Sequence, residues 1–213
     1  YKAARSAGVK PLLGVDAWIR DSSDSNNPFR IVLLVQNDQG YRNLIRLVSR
    51  SYRDGQHLGR PLLDREWLDQ QSCSGLIALS GGRFGDVGRS LLGENREESR
   101  SLLAGWLKLF GDRYYLELQR TGREQEENCL HASVALAQEF DVPVVATNDV
   151  RFLDPEDFEA HEVRVCIHDG RTLEDPRRLR IYSPQQYLRT PQEMAQLFSD
   201  IPEALSNSVE IAK

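Results

Sequence analysis

The stretch GLIALSGGRFGDVGRSLLG, residues 75–93, decides how the rest of the chain is read. GLIALS has the apolar, β-branched character of a buried strand, and FGDVGRSLLG leads into a helix that runs through RSLLAGWLKLF, residues 100–110. Downstream, YYLELQ (114–119) reads as the next strand, EENCLHASVALAQEF (126–140) as the next helix, and VPVVAT (142–147) as a further strand. From Asp157 onward the pattern is helical with proline-punctuated loops. Upstream, PLLGVDAWI (11–19) and FRIVLLVQ (29–36) are strands separated by the polar loop DSSDSNNP (21–28). Asp38 is expected to cap a helix over residues 38–52, where Tyr41, Leu44, Ile45, Leu47, Val48 and Tyr52 recur at helical spacing with arginines between them. That helix ends near Gly55, and a short helix capped by Asp64 follows. Strands alternating with helices predict an α/β fold on a largely parallel sheet, because parallel neighbours need long crossover connections. Periodicity does not decide between an open sheet and a barrel. No repeat or long linker divides the chain, so residues 1–213 are expected to form a single domain.

Composition narrows the function classes. With 27 Lys+Arg against 32 Asp+Glu the formal net charge is −5, which disfavours a dedicated duplex-DNA binder with a basic face. Apolar runs such as Ile31–Val35 are far shorter than the ~20 residues needed to cross a bilayer, so no membrane span is expected. Cys73, Cys129 and Cys166 are odd in number and widely spaced, which excludes a disulfide framework and suits a reducing cytoplasm. The chain opens on YKAARSAG, which reads as the last turns of a helix closed by Gly8, and Met194 is its only methionine. It is therefore expected to be an internal segment of a longer polypeptide.

Several residues are candidates for chemistry. The loop SGGRFGDVG (80–88) sits where a phosphate-binding loop would, between strand and helix, but lacks the GK[ST] ending of a nucleotide loop. Glycines serving only a tight turn are the favoured reading. ATNDVRF (146–152) places Asp149 at the carboxyl end of a buried strand, the edge where α/β folds build sites. Asp149 is read equally well as a ligand or acid/base group and as a turn residue. Asp16, also in a strand, needs a partner or a cation. His57 and His131 read as ordinary surface or core groups, and His161, Glu162, Cys166 and His168 lie close in sequence but point in several directions on a helix, which disfavours a tetrahedral metal site. Arg171, Arg177, Arg178 and Arg180 read as a solvated face, with contact to nucleic acid or an acidic partner left open.

The strings KPLLGVDAW, NLIRLVSRSY, GLIALSGGRFGDVGRSLL, YYLELQRTGR, VPVVATNDVRFLDPEDFEAHEVRVCIHDGRTLEDP and IPEALSNSVEIAK closely resemble the amino-terminal polymerase-and-histidinol-phosphatase (PHP) domain of bacterial replicative DNA polymerase III alpha subunits, from Tyr1 to Lys213. The resemblance implies a distorted (β/α) barrel, incomplete at its N-terminal end because the family's His-x-His segment would lie upstream. It also implies a metal cleft at the carboxyl ends of the strands, which in active members hydrolyses phosphoesters. Asp16 falls on an acidic ligand of that pattern and Asp149 on the aspartate of its ATND motif. Arg30, Thr121 and Arg151, however, stand where active members carry histidines, and Gly82 where cysteine is frequent.

Arginine has no lone pair for a metal and brings positive charge to the place a cation would fill, so Arg30 and Arg151 are expected to repel a metal and pair with Asp16 and Asp149 instead. A vestigial, metal-free cleft made of Asp16, Arg30, Gly82, Thr121, Asp149 and Arg151 is therefore expected, with no catalytic residue and no cofactor in this segment. Magnesium would belong to the polymerase site of the parent chain. The implied role is a structural and partner-binding module, with the proofreading exonuclease subunit and other holoenzyme subunits as partners and DNA met through the parent chain. Tyr52 and Arg53 are candidate anchors for such an interface. An active metal-dependent phosphoesterase or 3'-5' proofreading nuclease is the alternative, and a stand-alone nucleic-acid module a third reading.

Overall fold

A computed structural model describes residues 1–21, 24 and 26–213. Of the expected loop at 21–28, residues 22, 23 and 25 lie outside the described residues. The helices are α1 (Lys2–Ser6), α2 (Asp38–Asp54), α3 (Asp86–Leu92), α4 (Arg96–Phe110), α5 (Glu126–Phe140), α6 (Phe158–Asp169), α7 (Pro191–Leu197) and α8 (Pro202–Ala212). The strands are β1 (Gly14–Ile19), β2 (Phe29–Val35), β3 (Gln56–His57), β4 (Arg60–Pro61), β5 (Leu76–Leu79), β6 (Tyr114–Gln119) and β7 (Val144–Thr147).

Five strands form one sheet in the order β1-β2-β5-β6-β7, and β3 pairs with β4 apart from it. The sheet is mixed, which corrects the expectation of a largely parallel one: β2 runs antiparallel to both β1 and β5, while β5, β6 and β7 are parallel. The connection of residues 20–28 is too short for a crossover, so β2 must return alongside β1 in the opposite sense. Two helix starts also differ from expectation. Asn37 caps α2, its extended backbone letting the side-chain oxygen accept from Gly40 N–H at 3.0 Å, and Asp38 is the first helical residue. Asp64 precedes only a single 3₁₀ turn at Arg65–Trp67, and its carboxylate accepts from Arg20 Nε at 2.6 Å instead of capping.

Alternation along the strands separates two faces. Ile19, Ile31, Leu33, Leu76, Leu116 and Leu118 join the main core, where α4 supplies Leu103, Trp106 and Phe110. On the opposite face Ile77, Leu79 and Val145 form a smaller apolar cluster with Val32 and Leu34. The polar residues of that second face build the site.

Candidate functional site

In β6 the sequence Leu116-Glu117-Leu118-Gln119 sends both leucines into the main core and both polar side chains to the other face. Arg30 reaches that face from β2, paired with Trp18 in the β1 ladder, and Asp16 lies diagonally across on β1. Asp149 follows β7 by two residues, with its backbone in the left-handed region at φ 43°.

These groups form one charged network. Arg30 Nε donates to Asp16 Oδ1 at 2.6 Å, and its Nη2 stands 3.6 Å from Asp149 Oδ1. Asp149 Oδ1 also accepts from Arg151 Nη2 at 2.8 Å, while Oδ2 accepts from Arg123 Nη1 at 2.8 Å and Gln186 Nε2 at 2.9 Å. Arg123 donates further, from Nε to Glu126 Oε1 at 2.8 Å and from Nη2 to Gln119 Oε1 at 2.9 Å. Glu126 in turn accepts from the N–H and hydroxyl of Thr121, and Glu117 Oε1 from Gln119 Nε2 and the Thr147 hydroxyl.

Burial decides the strength of these contacts. The side chains of Arg123 and Asp149 are 7% and 5% exposed, whereas Arg151 is 33% and Asp16 is 43% exposed. Burial by itself would lower the Arg30 pKa, but the carboxylates of Glu117, Asp16 and Asp149 more than reverse this and leave it raised. Arg30 therefore stays charged, although its Nη1 and the Oε2 of Glu117 are buried with no hydrogen-bond partner.

Asp16, Arg30, Asp149 and Arg151 thus meet directly, Thr121 joins through Glu126 and Arg123, and Gly82 abuts Gln119, whose Oε1 would lie 3.2 Å from a Cβ added there. Sequence reading missed Arg123, Glu117, Gln119, Glu126 and Gln186. Polar residues alternating with leucines in a buried strand were a usable signal for Glu117 and Gln119. Gln186 carried none, because it reaches Asp149 from an irregular segment 37 residues downstream.

The glycine loop has the structural role. Asp86 Oδ1 accepts from Val87 N–H at 2.8 Å, so the chain's own carboxylate occupies the start of α3, and it is held by Trp106 Nε1 and Arg65. A Cβ on Gly85 would lie 1.8 Å from Ser80 O, whereas one on Gly93 would meet nothing closer than 3.5 Å. Gly85→Ala should therefore cost about 1–3 kcal/mol in urea unfolding. Gly93→Ala should be neutral or gain about 0.4–1 kcal/mol.

The other candidates separate. His161 Nδ1 faces Arg164, and burial, followed by the charge of Arg164, lowers the His161 pKa. Glu162 pairs with Arg178, both side chains being almost fully buried. Arg178 is therefore not part of a solvated face, because the segment after α6 folds its guanidinium back onto the helix. Arg171 and Arg177 both pair with Asp175. Among the described residues no three His, Cys, Asp or Glu side chains are grouped to hold a metal ion, and no helix is long and apolar enough to cross a membrane.

The PHP domain family model matches residues 1–121. All 213 residues align with the DNA polymerase III subunit alpha of Pseudomonas aeruginosa at 51% identity, of Escherichia coli K12 at 52% and of Vibrio cholerae at 49%. The chain spans 18% of the length of each of these curated relatives.

Proposed function

The chain belongs to the PHP domain family, and we propose that it is the single PHP module of a cytoplasmic replicative DNA polymerase alpha subunit, acting as a metal-free scaffold that holds partner subunits. The parent polypeptide would carry the DNA-directed DNA polymerase activity, with magnesium at its own site. The proofreading exonuclease subunit is the proposed partner.

The observation that carries the scaffold reading is the cationic surround of Asp149. Its two oxygens already accept from Arg151, Arg123 and Gln186, with Arg30 close by. A divalent cation needs donor lone pairs, from carboxylates, neutral imidazoles or other uncharged groups, and here three guanidiniums, which offer none, occupy that neighbourhood. The residues present do not fit such a metal.

We also read the sheet as part of a distorted barrel. In a flat sheet β2 and β7, separated by β5 and β6, would lie about 14 Å apart. The approach of Arg30 to Asp149 at 3.6 Å is easier if the sheet curls.

Chelation tests the scaffold reading. A metal held at 100 times its Kd would add about 2.7 kcal/mol of stability. Treatment with EDTA should leave the unfolding midpoint unchanged, and metal analysis of the purified parent protein should find no zinc or manganese beyond that of its polymerase site. A stoichiometric metal assigned to this module would favour the phosphoesterase alternative.

A further inference from the structure

We propose that the outer face of α2 docks an amphipathic helix of a partner subunit whose apolar stripe is flanked by acidic residues. The inference rests on the partner-binding reading above and adds the surface and the chemistry of what it takes.

α2 has two apolar faces where one would suffice. Gly40, Leu44, Leu47 and Ser51 are buried against the domain. Tyr41, Ile45, Val48 and Tyr52 form a second stripe, and three of them are strongly exposed: Tyr41 at 46%, Ile45 at 46% and Tyr52 at 62%. At about 100° per residue these four positions fall in one narrow line along the helix, roughly a quarter-turn from the buried face. Their spacing of four, three and four residues is that of a helix-packing seam. The lower half of the stripe, Val48 and Tyr52, opens into a cleft of about 990 Å³ beside β1, which Val15 and Leu63 also line. A docked helix therefore finds a wall as well as a ridge.

Charge selects the occupant. Arg42, Arg46 and Arg53 run along the other side of this stripe, and α2 carries acidic residues only at its ends, Asp38 and Asp54. Arg53 is paired with Asp54, and Arg50 is paired with Asp54 and stacked on Trp67. Among the described residues Arg42 and Arg46 have no carboxylate partner. A cationic stripe on a chain of net charge −5 favours a partner with acidic flanks.

The test uses the full-length parent polypeptide and the purified exonuclease subunit as probe, in calorimetry and thermal unfolding. Ile45→Ala with Tyr52→Ala, and separately Arg42→Glu with Arg46→Glu, should each weaken binding about tenfold or more while leaving the unfolding midpoint unchanged. The charge-reversal pair should also flatten the salt dependence of binding. Unaltered affinity in both variants overturns the inference, as does a lowered midpoint with unaltered affinity, which would mean that the parent chain itself covers the stripe. If the unmodified parent fails to bind the probe at micromolar concentrations, the scaffold reading fails instead.

Discussion

Asp149→Asn is expected to lower the unfolding free energy by about 3–5 kcal/mol, the cost of stranding buried charges by removing one partner. The carboxylate faces Arg123 and Arg30, both nearly buried, and accepts from Arg151 and Gln186 as well. Asparagine keeps the shape and tolerates the left-handed backbone at this position, so the loss reports charge and not strain. Arg123→Ala should approach the same value. Arg151→Ala should cost about 1 kcal/mol or less, because its side chain is a third exposed and solvent screens it. Arg46→Ala, on the exposed face of α2, is the surface reference, expected within ~0.5 kcal/mol of the unmodified chain. Urea unfolding of the four variants gives the ranking. Equal losses for Arg123→Ala and Arg46→Ala would show that the network contributes little.

The second large effect is in the main core. Trp106 is 1% exposed and lies parallel to Tyr114 at a centroid distance of 6.0 Å, with Phe29 edge-on at 6.4 Å and Phe110 tilted at 6.1 Å. Its indole N–H donates to Asp86, and the Arg65 guanidinium covers its ring at 3.9 Å. Trp106→Ala should cost about 3–5 kcal/mol, since it removes the largest buried side chain and leaves a cavity between α4 and the sheet. Asp86→Ala removes the acceptor alone and should cost about 1–3 kcal/mol, because the indole N–H is then buried without a partner. If Asp86→Ala cost as much as Trp106→Ala, the hydrogen bond and not the packing would dominate, and the aromatic cluster would be the lesser element. The balance matters to the site because Asp86 starts α3 directly after the glycine loop that runs beneath Arg30, where Gly81 approaches Arg30 O.

Local sequence determined the order of strands and helices. The alternation in YYLELQ and the amphipathic spacing in residues 38–52 are short-range properties that the finished fold only had to accept. The glycines of residues 81–88 likewise announced a tight turn from strand to helix, because a Cβ at Gly85 meets its own preceding backbone. The acidic members of the cleft were legible as residue types, since a carboxylate in a strand such as Asp16 demands a partner, whereas Arg30 and Arg151 entered only through the family resemblance and Arg123 was missed. Which partner it has was a tertiary matter. The direction of β2 depended on the length of a loop, and the exposure of Tyr41 and Ile45 on what lies beside α2. The meeting of Asp149 with Arg123 and Gln186 needed the ends of β6 and β7 and the segment before α7 to converge. No periodicity encodes that convergence, because ion pairs between residues tens of positions apart leave no local pattern; only the closing of the chain brings their charges into a poorly solvated space where pairing becomes obligatory.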